Sequence, residues 1–180
     1  MNRAATPNKF ARLHGGSTLI IQRWFPGSAS RLWDYLVDAD LRRKWLADGF
    51  MQTTAGAPFE LVWRNEDLTR PGDPRPDGWG GEHSMQSRVI EAIPPQRLVI
   101  AWGEGEVAFD LVDKESRVRL TITHSGLDKS ATDIFAGWHS HLDILSAQIS
   151  GDQPPSFWPT WMRLRDQYQV RLGLHKASPG

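Results

Sequence analysis

The chain has 180 residues, 39% of them hydrophobic and 23% charged, enough to bury one core without disulfide or metal staples. Its 21 basic and 21 acidic side chains give zero formal net charge, which argues against a nucleic-acid partner because such binding rests on a basic excess that neutralises phosphates. There is no cysteine, so disulfides, a thiolate nucleophile, cysteine-ligated zinc and thiol redox chemistry are excluded together.

Residues 1–16 (MNRAATPNKFARLHGG) lack the apolar core of a secretory signal and read as a polar, disordered lead-in. No run of about 18 apolar residues occurs, so no membrane insertion is expected and the chain reads as cytoplasmic. Residues 17–24 (STLIIQRW) are β-branched and apolar, a strand signal. Pro26-Gly27 breaks it. Ser28 is then placed to cap a helix through Leu32, Trp33, Leu36 and Val37, and Asp40 to cap a second short helix carrying Leu41, Trp45 and Leu46. Phe59, Leu61 and Trp63 alternate with Glu60 and Arg64, as in a half-buried strand. Residues 65–81, rich in Pro, Gly and Asp, form a loop long enough to suggest mobility or function.

Four more alternating segments follow: His83, Met85, Ser87 and Val89; Leu98, Ile100 and Trp102; Val107, Phe109 and Leu111; Val118, Leu120 and Ile122. Their short connections predict an antiparallel meander with one packed face. In residues 130–150, Phe135, Trp138, Leu142, Leu145 and Ile149 are spaced as on one face of a long helix, which Gly151 ends. Beyond Pro154-Pro155, Trp158, Trp161, Leu164, Tyr168 and Leu172 make a second amphipathic stripe, which docks on its own domain or on a partner subunit. A sheet with one apolar face and a helix with an apolar stripe bury against each other, so the fold class is α+β.

This order of elements resembles the START-like superfamily, in the branch of homologues of the heat-shock-protein-90 ATPase activator. The features that carry the resemblance are Arg31-Leu-Trp33, Asp40 with Trp45, Pro94-Pro95-x-Arg97-Leu98-Val99-x-x-Trp102, Arg119-Leu-Thr-Ile-Thr-His124-x-Gly126-Leu127 and Gly137-Trp138-x-x-x-Leu142-x-x-Leu145. The resemblance covers about residues 17–150 and leaves 151–180 as an extension with a short amphipathic helix. It implies a helix-grip fold, a curved antiparallel sheet wrapped around the long C-terminal helix, with an internal cavity that relatives use for apolar or aromatic ligands.

The chain carries no G-x-S-x-G, phosphate-binding G-x-x-x-x-G-K, G-x-G-x-x-G or H-E-x-x-H. His139-Ser-His141-Leu-Asp143 resembles the start of the H-x-H-x-D-H metal motif, but Ile144 stands where its last histidine would be. On a helix the two imidazoles also lie about 200° apart, so no metal site is expected. His141 falls about 60° from the centre of the apolar stripe, within reach of the cavity edge; His139 falls about 100° away, toward solvent or the sheet rim.

Strand parity turns His83, Ser87 and His124 inward among Trp63, Trp102 and Phe109, either as ligand contacts or hydrogen-bonded to strand-end backbone. Trp138, mid-stripe after Gly137, is the central pocket candidate, with Leu142 one turn on. The ligand-binding set is therefore Trp138, His141, Leu142, His83, His124, Trp102, Trp63, Phe109 and Ser87. No catalytic residue is assigned, because no carboxylate stands inward beside either strand histidine. No cofactor is expected. The leading function is binding of a small apolar or aromatic molecule; a cyclase, dehydratase or hydrolase in the same cavity and an adaptor or chaperone regulator acting through its surface and Trp-rich tail are the alternatives. Zero net charge permits a homodimer.

Overall fold

The computed structural model describes residues 8–128 and 131–174; the first seven residues of the expected lead-in lie outside the described residues. Seven strands form one antiparallel sheet: β1 (Arg12–His14), β2 (Thr18–Pro26), β3 (Pro58–Trp63), β4 (His83–Ile93), β5 (Arg97–Trp102), β6 (Gly105–Lys114) and β7 (Arg117–His124). Their spatial order is β1-β2-β7-β6-β5-β4-β3. The strands from β3 to β7 fall where the alternation predicts them. Their inward residues, among them Leu61, Val89, Ile100, Phe109 and Leu120, form the floor of the core.

Between β2 and β3 the chain builds α1 (Ala29–Val37) and α2 (Ala39–Arg42). Ser28 Oγ accepts from Arg31 N–H, as the sequence predicts for a cap. The second cap differs. Asp38, not Asp40, accepts from Leu41 N–H at 3.0 Å, while Asp40 sits in the first turn and pairs with Arg43. Asp40 already lies inside the helix, whereas Asp38, just past the end of α1, has the extended backbone a cap requires.

The buried Arg42 guanidinium then gathers the chain by donating to the carbonyls of Leu36 (3.0 Å), Val37 (3.2 Å), Ala47 (3.2 Å) and Gly49. This pins the segment that carries Trp45, itself fully buried with its Nε1–H on Tyr35 O at 2.9 Å. Gly49 crosses so close to β3 that an added Cβ would lie 1.8 Å from Glu60 O, and its φ is +120°. Only glycine fits there.

α3 (Thr132–Ser150) lies across the sheet and ends at Gly151 in the left-handed conformation. Its burial exceeds one stripe: Phe135, Trp138 and Leu142 are buried, but so are His139, Ser140 and Ile144. The second cover is α4 (Phe157–Arg171), which packs along α3 and buries Phe157, Trp158, Trp161, Leu164 and Tyr168. The tail stripe is thus covered by its own domain, and α4 is part of that domain rather than an appendage.

Residues 8–16 also differ from the disordered lead-in read from their polarity. β1 pairs with β2, and Ala11 is buried with its N–H donating to Tyr168 Oη at 2.8 Å. Phe10 meets the rings of His139 and Tyr168 edge-on at 4.9 and 5.4 Å. Two apolar side chains and one strand partner suffice to order a short polar segment. No helix among the described residues is long and apolar enough to cross a membrane.

Candidate functional site

The sheet splays at one end, and the splay makes the site. β4 pairs with β3 through His83–Arg88, but with β5 only from Val89–Ile100 to Ile93–Arg97, with a bulge between Val89 and Glu91. Beside the last paired residues Ser87 Oγ donates to Ala101 O at 2.7 Å, closing a carbonyl the ladder leaves open. Into the widening gap the strands project Trp63 and Trp102, whose rings meet at 5.3 Å, and α3 adds Trp138 at 5.2 Å from Trp102.

Facing them are Trp158 and Trp161 of α4, 5.4 Å apart, and Trp79 of the 65–81 loop, 5.0 Å from Trp161 and 6.1 Å from Trp158. These six indoles line a cavity of about 540 Å³. The loop is fastened to the start of α4: Phe157 N–H donates to Leu68 O at 2.9 Å, Trp158 N–H to Thr69 Oγ1 at 3.3 Å, and Arg70 N–H to Ser156 Oγ at 2.9 Å. Its far end carries the Arg75–Glu66 ion pair and the ring contacts of Trp79, which remains 45% exposed.

Of the sequence candidates, Trp63, Trp102, Trp138, His83 and His141 line this cavity. Four do not. Leu142 and Phe109 are packed core beneath Trp138, Ser87 is used by the Ala101 carbonyl, and His124 lies behind Trp138, its Nδ1 accepting from Trp138 Nε1–H at 3.0 Å. Parity fixes the face of a strand on which a side chain lies, not its distance from the open end; Ser87, Phe109 and His124 are on the right face and too deep, and Leu142 lies on the stripe of α3 one turn past the cavity. His83 lines the cavity from its outer edge. It is exposed at the rim, where it stacks on Trp63 at 5.7 Å.

His139, expected at solvent or the sheet rim, is buried under α4 and Phe10, its Nδ1 2.9 Å from Tyr168 Oη. The helical wheel reckoned with one partner for α3, and there are two. His139 and His141 address different neighbours, and among the described residues no group of three or more His, Cys, Asp or Glu is placed to hold a metal ion.

Burial leaves all three interior imidazoles neutral: desolvation pushes His124 and His141 down to about 4, and His139 to about 3 with help from Arg23. His141 Nδ1 stands 2.6 Å from Trp45 O, so the pinned 45–49 segment fixes its ring. Two polar atoms of cavity-lining residues, Trp158 Nε1 and Asn65 Oδ1, are buried without a hydrogen-bond partner.

The wall contributed by Trp79, Phe157, Trp158 and Trp161 was missed from sequence. A signal was available: indoles concentrated after Pro154-Pro155 and one among the glycines of the loop, in a chain with nine tryptophans.

A curved antiparallel sheet gripping a long helix, with a cavity at its open end, defines a helix-grip protein of the START-like kind. Residues 26–150 match the family described as Activator of Hsp90 ATPase homolog 1-like protein, and the chain belongs to that family. It is similar to the solution structure of the protein encoded by gene BPP1335 from Bordetella parapertussis, with 32% identity, 92% of this chain and 94% of that one covered, and a TM-score of 0.75.

A conserved protein of unknown function, EF2215 from Enterococcus faecalis, shares the fold at 15% identity over 93% and 91% of the two chains, TM-score 0.65. CalU16 from Micromonospora echinospora does so at 17% identity over 92% and 93%, TM-score 0.62. No curated protein matches the sequence.

Proposed function

We propose that the chain binds a small apolar or aromatic molecule in the tryptophan-lined cavity. The observation that carries this reading is the set of six indoles around about 540 Å³. Small-molecule sites are apolar concavities of about 300–1,000 Å³ with a few placed polar groups, and indole faces suit flat rings. Turnover in the same cavity has less support, because His141 is bonded to a backbone carbonyl rather than to a carboxylate that would raise its basicity. The adaptor reading has less support, since the apolar stripe of the tail it was to use is buried against α3.

Native mass spectrometry of freshly purified protein, followed by denaturation, tests the proposal. The expected result is one small molecule per chain, released on unfolding, or saturable uptake of an added naphthalene-type probe. An apo mass combined with no saturable uptake of such probes would sink it. The same spectrum reports whether the chain is a dimer.

A further inference from the structure

The charged lining of the cavity is one-sided, and its buried neutral groups include the Trp158 Nε1–H donor. A carbonyl oxygen only accepts, so the 2.6 Å contact with Trp45 O places the His141 ring proton on Nδ1 and leaves Nε2 as a lone-pair acceptor. Among the described residues Nε2 has no hydrogen-bond partner, and the imidazole is part of the cavity wall. Phe157 lies over the ring at 4.6 Å and, with the Trp45 bond, fixes its plane. The ring stays neutral down to about pH 4, so this acceptor persists throughout the neutral range.

The charges around it point the same way. Among the described lining residues there is no lysine or arginine, while Glu82 and Asp133 are both present. Arg64, the cation next to Glu82, is already shared between Glu82 at 2.9 Å and Asp48 at 3.1 Å. A carboxylate entering this space would shed its water and meet two carboxylates and a lone pair, with no lysine or arginine to offset the desolvation and only the neutral Trp158 Nε1–H as a buried indole donor without a partner. A hydroxyl on a flat apolar body would instead give its proton to Nε2 and lay its rings against indoles.

We infer that the cavity selects uncharged planar molecules bearing a hydroxyl that donates to His141 Nε2, and rejects anions of the same shape. This rests on the cavity being a small-molecule site. The selectivity then lies in α3 and its contact with the 45–49 segment, and the indoles supply affinity for any flat body.

Equilibrium dialysis of the full chain at pH 7.5 against naphthalene, 2-naphthol, 2-methoxynaphthalene and 2-naphthoate separates these terms. The expected result is 2-naphthol binding about tenfold more tightly than its methyl ether, the gain from one hydrogen bond to a fixed acceptor, with 2-naphthoate at least about tenfold weaker than 2-naphthol. In His141→Asn the amide N–H can take the place of Nδ1–H on Trp45 O while Nε2 is lost, and the ratio of naphthol to ether affinity falls to about one.

Equal binding of naphthol and ether by the wild type overturns the inference and leaves the site reading standing, and the wild-type ratio decides even if the variant does not fold. Tightest binding of 2-naphthoate overturns it as well. If none of the four probes binds, the site reading fails and takes this inference with it.

Discussion

His139 and His141 leave α3 two residues apart and end in opposite circumstances. At His139 the ring is closed in by protein groups. Tyr168 Oη accepts from Ala11 N–H and stands 2.9 Å from Nδ1, while Nε2 faces Asp143 Oδ2 at 3.7 Å, and Asp143 is held by Arg23 at 3.3 Å. At His141 one nitrogen is tied to Trp45 O and the other is left in the wall of a cavity. Both rings are buried and both are neutral. What separates a structural imidazole from a candidate recognition element is thus not burial but whether its second nitrogen faces protein or a cavity.

Acid challenges both poles and should have the largest effect. His124, His139 and His141 titrate near 6.5 when unfolded and near 3 to 4 when folded, so between those values the unfolded chain binds more protons. Their contribution is complete above about pH 6.5 and is lost as pH falls, by about 1.4 kcal/mol per pH unit for each histidine. Urea unfolding at pH 7.5 and 5.0 measures it; a midpoint that does not move would mean that these rings are solvated in the folded state.

Tyr168→Phe strikes the closed pole alone. It strands Ala11 N–H and His139 Nδ1 together, at a cost of about 1–3 kcal/mol, while dialysis of 2-naphthol should be unaltered. Lost naphthol binding in this variant would show that the two poles are coupled. Trp79→Ala strikes the open pole alone. With the ring half-exposed, stability should change by no more than about 1 kcal/mol, yet stopped-flow release of a bound probe should speed up several-fold. Unchanged release would remove the loop from the cavity.

The sequence displays local periodicity well and depth poorly. Alternation around Phe59, Leu120 and Ile122 located strands, and Ser28 located a helix start, because each depends on neighbours within a few residues. The difference between Phe109, packed beneath Trp138, and Trp102, open to the cavity, depends on where β4 parts from β5, which a pattern of period two does not encode. His139 was misplaced for a related reason: the partner that buries it, Tyr168, stands 29 residues away on a separate helix.

The family match runs from the last residue of β2 to the last residue of α3. A fragment trimmed to residues 26–150 would therefore lose most of the strand that pairs with β7, leaving a bare edge open to intermolecular pairing. It would also lose α4, uncovering His139 and turning the cavity into a trough without Trp158 and Trp161. For this chain the span of the family match is shorter than the span that walls the cavity. Substitutions confined to α4 and the 65–81 loop could re-shape what the cavity accepts while the sheet and α3 keep the scaffold.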